Sequence, residues 1–97
     1  MANIYLVERV DLVGYDAYDS LVAVAVRPLD ARITHPDEYT FLGKSGWERT
    51  CSDGTTYSRE HDNEWVKSED VSKLKVTHIG RATDHPLGVV LASFNAG

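Results

Sequence analysis

The chain has 97 residues, of which 42% are apolar, 26% charged and 9% aromatic, and its 15 Asp and Glu against 10 Lys and Arg leave a formal charge of −5. This length suits one small domain over residues 1–97, and the near-average apolar fraction argues against wholesale disorder. An acidic chain is a poor vehicle for gripping nucleic acid, no run approaches the roughly 18 apolar residues of a membrane span, and no basic segment precedes an apolar block as in a secretory signal. A single cysteine, Cys51, excludes an internal disulfide framework and a Cys-rich zinc site.

Residues 3–10 alternate as a strand, with Ile4, Leu6 and Val10 on one side and Tyr5, Val7 and Arg9 on the other. Residues 11–20 carry Gly14 and three aspartates and read as a loop. The Val-rich run 21–26 reads as a central strand, antiparallel to the first. Pro28 suits the first turn of a short helix with Leu29 and Ile33 on its buried face, ended by Pro36. Residues 37–64 form an inserted segment, variable in character, in which Asp53-Gly54 predicts a type I′ hairpin flanked by Trp47–Ser52 and Thr55–Arg59. This hairpin reads as the most exposed element. Ser68, with Glu69 and Asp70 behind it, reads as a helix cap. Residues 74–80 and 89–94 read as two further strands joined in a hairpin through the turn 84–88.

The expected fold is therefore α+β: a mainly antiparallel sheet of about four strands, one or two short helices and an inserted β-hairpin. Its expected core is Ile4, Leu6, Val22, Val24, Leu29, Ile33, Trp65, Val71, Val76, Ile79, Val90 and Leu91. That core is thin for the length. A homodimer that pairs edge strands or buries a second apolar sheet face would supply what the monomer lacks.

No motif for chemistry emerges. The four histidines, His35, His61, His78 and His85, lack metal-site spacing, and Glu60, His61, Asp62 and Glu64 are a weak cation set against a solvated loop. His35 and His85 each precede a proline, which favours a structural role. Cys51 has no base placed beside it by spacing, and Gly43-Lys-Ser-Gly46 lacks phosphate-loop spacing. The chain reads as a non-enzyme without a cofactor. Residues 1–64 hold 12 acidic and 6 basic side chains, whereas residues 65–97 hold 3 and 4. The aromatics Tyr15, Tyr18, Tyr39, Phe41, Trp47 and Tyr57 fall in loops or on the hairpin, among those acids. Tyr and Trp anchor protein interfaces, so the expected partner-binding set is Tyr15, Asp16, Tyr18, Asp19, Trp47, Tyr57, Glu60, Asp62 and Glu64.

Residues 4–9 (IYLVER), 14–20 (GYDAYDS), Ala31-Arg32 with His35-Pro36, 79–82 (IGRA) and 88–97 (GVVLASFNAG) resemble a family of small bacteriophage-encoded proteins, over residues 3–36 and 65–97. The resemblance carries no catalytic residue across. It implies a phage accessory protein in the bacterial cytoplasm, similar in class to inhibitors of host defence such as anti-CRISPR proteins. The expected function is to bind a host protein or complex and block its nucleic-acid-binding surface, without the chain itself binding nucleic acid or membrane. Two alternatives stand beside it: an oligomeric sponge holding a signalling nucleotide through Arg27, Arg32, Lys44, Arg49 and Arg59, and a structural or regulatory phage protein.

Overall fold

The computed structural model describes residues 2–10, 17–61 and 63–95. Two antiparallel sheets and two short helices make an α+β fold. The larger sheet contains Ala2–Glu8 (β1), Ala17–Ala25 (β2), Lys75–Ala82 (β6) and Gly88–Asn95 (β7) in the order β6-β1-β2-β7. The smaller contains Thr40–Gly43 (β3), Gly46–Thr50 (β4) and Thr56–Ser58 (β5) in chain order. Pro28–Arg32 forms the helix α1, and Ser68–Lys73 forms a 3₁₀ helix. Among the described residues no helix is long and apolar enough to cross a membrane.

The strand order corrects one expectation. β6 and β7 do not form a hairpin; they lie on opposite edges of the large sheet, and residues 83–87 cross over its end. β1 and β2 already pair with each other, so each has one free edge, and the two later strands take one edge each. β2 also begins at Ala17, inside the segment read as a loop.

The core corrects a second. The buried face of the large sheet carries Tyr5, Val7, Leu21, Ala23 and Ala25, on the opposite parity to the expected set. Of that set only Val24 and Trp65 are buried; Ile4, Leu6, Val22, Val71 and Val76 are half-buried, and Leu29, Ile33, Ile79, Val90 and Leu91 are exposed. The run Leu21–Val26 is apolar on both faces, so alternation cannot choose between them. Side-chain size decides. Ala31, not Leu29, is the residue of α1 that the core encloses, in one cluster with Ala23 and Ala25. Small residues at that contact let a five-residue helix lie close to the sheet.

The inserted segment is part of this core. Trp47 at the start of β4 is 0% exposed and packs with Trp65, Val66 and Leu74. Its indole Nε1–H donates to the Val66 carbonyl at 2.9 Å, and its carbonyl accepts from the Arg59 N–H at 2.8 Å. The hairpin is therefore anchored at its base, with Thr56, Tyr57 and Ser58 exposed at its far edge. Its turn is a three-residue loop rather than type I′. The Gly54 N–H donates to the Cys51 carbonyl, and Gly54 alone in the loop has positive φ, at 88°. A type I turn followed by one left-handed glycine needs no positive φ at Asp53.

Two charged side chains brace the arrangement. Arg32, at the end of α1, donates to the carbonyls of Val71, Ser72 and Leu74, tying α1 to the end of the 3₁₀ helix. The Glu60 carboxylate accepts from the Trp47 N–H at 2.9 Å and the Ser68 N–H at 2.8 Å, joining β4 to the start of that helix. Ser68 therefore enters the helix through its own N–H, without acting as a side-chain cap. Gly46, at φ 121°, lies against the same carboxylate, where a Cβ would collide with it. Burial pushes the Glu60 carboxyl up, but its two backbone N–H bonds outweigh that and hold it below its ordinary value. Glu60→Ala strands both N–H groups and is expected to cost about 2–3 kcal/mol in urea denaturation, while Glu69→Ala on the exposed 3₁₀ surface changes stability by less than about 0.5 kcal/mol.

Candidate interaction surface

Two residues between α1 and β3 organise the ground on which the surface stands. His35 is 2% exposed, and its ring meets Trp47 edge-on at 4.8 Å between centroids. Its Nδ1 accepts from the Asp37 N–H at 2.9 Å, so Nε2 carries the proton and faces Asn63 Oδ1 at 3.3 Å. Asn63 is buried as well; its Oδ1 accepts from the Trp65 N–H, and its Nδ2–H donates to the Glu60 carbonyl. Burial lowers the His35 pKa to about 4 and keeps the ring neutral. His35 is thus structural, as its position before Pro36 suggests.

Asp37 is the second organiser. Its carboxylate accepts from the Tyr39 N–H and the Thr40 hydroxyl, an Asx turn that starts β3. It also pairs with Arg49 Nε at 3.2 Å and Arg59 Nη1 at 3.6 Å. Burial raises its pKa, but the Thr40 and Tyr39 bonds and the Arg49 charge outweigh this and lower it overall. Arg49 in turn lies 5.7 Å from the Tyr39 ring centre and donates to the Tyr57 hydroxyl at 3.4 Å.

The resulting surface is an open groove of about 500 Å³ between the two sheets, bordered by Tyr18, Glu38, Tyr39, Arg49, Arg59 and Glu64. Tyr39 is 56% exposed and Tyr57 43%, the latter at the rim through Arg49. Tyr18 packs edge-on against Phe94 at 5.0 Å, and its N–H donates to the Glu64 carbonyl at 2.8 Å, which fixes these two borders together. Asp19 follows on β2, half-buried, accepting from the Ser20 hydroxyl.

Of the expected partner-binding residues, the fold brings Tyr18 and Glu64 together, with Asp19 adjacent and Tyr57 at the rim. Two others are corrected. Trp47 is enclosed in the core, because it fills the gap between the small sheet and the large one. Glu60 is turned inward by its two N–H donors. Tyr15, Asp16 and Asp62 lie outside the described residues. Sequence reasoning omitted Asp37, Glu38, Tyr39 and Arg49 from the set. The Asp-x-Tyr-Thr spacing of an Asx turn was the available signal; the pairing of Asp37 with arginines 12 and 22 positions away leaves no local trace.

Other readings meet engaged side chains. Arg27 forms a bidentate pair with Asp30, Arg32 binds three carbonyls, and Arg49 and Arg59 share Asp37. The Cys51 backbone closes the hairpin loop through Thr55 and Gly54. Among the described residues no group of three or more His, Cys, Asp and Glu side chains can hold a metal ion. No family model, curated protein or solved structure matches the chain.

Two measurements follow from this geometry. Because the His35 pKa is lowered on folding, the unfolded chain binds the extra proton. Stability is then full above about pH 6.5 and falls towards pH 4, by about 2 kcal/mol between pH 7 and pH 5. His35→Gln should flatten that segment in urea titrations. Glu64 holds a left-handed φ of 61°. Glu64→Gly relieves it and should raise stability by about 1 kcal/mol relative to Glu64→Ala, read as a shift in urea midpoint.

Proposed function

We propose that the protein acts by binding rather than by catalysis, and that its groove engages a host protein. The observation that carries this reading is Tyr39, held more than half exposed by the Asx turn at Asp37 and the neighbouring Arg49. An aromatic ring fixed in place before contact loses little freedom on binding, which is the character of an interface anchor. Glu38 and Glu64 are exposed on its borders, Asp19 lies half-buried beyond Tyr18, and Arg49 is partly exposed. The Asp37 charge is already answered by Arg49 and Arg59.

Such a surface complements a basic one. Carboxylates placed where phosphates would sit compete for Lys and Arg, and complementary charge speeds association. Together with the resemblance to phage accessory proteins, this supports an inhibitor that occupies the nucleic-acid-binding surface of a bacterial defence complex, in the manner of anti-CRISPR proteins.

The test is affinity capture of the tagged chain from the bacterial host, followed by titration of the captured partner. Tyr39→Ala should weaken binding by about 30-fold or more, as for an anchor worth about 2 kcal/mol. The double variant Glu38→Lys/Glu64→Lys should lower the association rate and its salt dependence, and nucleic acid should compete with the chain for the partner. Glu48→Lys, on the opposite face of the small sheet, is the control. Binding that ignores Tyr39→Ala and both charge reversals removes this groove as the contact surface.

A further inference from the structure

The large sheet has two faces, and the helices and the small sheet cover only one. Register places Leu6, Val22 and Leu91 in one row across three strands of the other face, with Ile4 and Val24 in the next row. Leu91 is 67% exposed, while Ile4, Leu6 and Val22 are half-buried. The crossover 83–87 covers only the end of this face, where Thr83, Asp84 and His85 border a shallow hollow lined by Ile4, Val22 and Val24. This face thus carries Ile4, Leu6, Val22 and Leu91 beside an enclosed Val24, whereas Ala23 and Ala25 lie on the covered one.

We infer that this face is the seat of a second copy of the chain, packed sheet against sheet around a two-fold axis that runs across the strands. Charge placement selects that occupant. Lys75 begins β6 on this face, opposite Glu8, and Asp84 follows the other end of β6. The strand from Lys75 to Ala82 alone rises about 23 Å, so the two cannot meet within one copy. Neither forms an ion pair among the described residues. A two-fold axis across the strands lays β6 antiparallel over β6 of the second copy. Lys75 of each then faces Asp84 of the other, and two opposite pairs form at once. The aliphatic rows meet between them at the spacing of packed sheets, about 10 Å.

The area is sufficient. Four strands of about eight residues cover about 500 Å² per copy. The total, about 1,000 Å², reaches the lower bound for a specific interface. The groove at Tyr39 shares Val90 with the hollow on this face, but Tyr39, Glu38 and Glu64 line the groove alone, so this inference stands apart from the proposed partner contact.

Sedimentation equilibrium of the full chain tests it. The expected mass is twice 10.8 kDa. Leu91→Lys should weaken the dimer by at least about tenfold, one buried aliphatic contact being worth that much. Lys75→Glu and Asp84→Lys should each weaken it, and the double variant Lys75→Glu/Asp84→Lys should restore it. Asp84→Lys, in an exposed crossover, keeps the test readable if Lys75→Glu, by setting a carboxylate opposite Glu8, disturbs the edge of the sheet, with circular dichroism reporting the fold. A monomer at sub-millimolar concentration overturns the inference and leaves the face to another partner. A dimer that survives Leu91→Lys, or one weakened by the single reversals and not restored by the double, also overturns it and points to edge pairing through β7.

Discussion

The structure depends on the burial of Trp47. It is the largest side chain without solvent contact, and each of its polar groups is answered: the backbone N–H by Glu60, the indole N–H by Val66, the carbonyl by Arg59. A buried tryptophan removes a large apolar area from water, but only if its N–H groups keep partners. Those partners come from the segment between β5 and the 3₁₀ helix. Trp47 therefore couples the small sheet to chain that follows it by 12 to 19 residues.

His35, Asn63 and Glu60 extend that coupling. Each is a polar group in or near the core with specific donors and acceptors, and each holds a stretch of chain without regular structure. This is how residues 59–61 and 63–67, with few repeating hydrogen bonds, are held in place. It also accounts for the left-handed backbone at Glu64, which aims its carbonyl at Tyr18 and joins the small sheet's return to β2. The same network fixes Asp37, and Asp37 fixes Tyr39 and Arg49 at the groove. The rigidity of the exposed surface thus derives from the polar core beneath it.

The two faces of the large sheet divide the labour differently from a simple reading of hydrophobicity. Alanines on β2 and α1 permit close approach of a helix, and the tryptophans supply the volume. The bulkier Ile4, Leu6, Val22 and Leu91 are left on the other side, where size favours packing against another sheet rather than a close helix.

By itself, the sequence determined the α+β class, the positions of β1, α1, β6 and β7 within a few residues, and the presence of a Gly54 turn. These depend on local patterns: alternation, Pro28, Asp53-Gly54. It also marked Tyr18, Asp19, Tyr57 and Glu64 as surface residues. The tertiary structure alone decided which sheet face is buried, that β6 and β7 take opposite edges, and that Trp47 and Glu60 belong inside. The reason is physical. A strand apolar on both faces has no preferred inside until something packs on it, and a carboxylate turns inward only when backbone donors distant in sequence arrive together. The groove at Tyr39 is of that second kind, since Asp37, Arg49 and Arg59 meet only once the small sheet has formed.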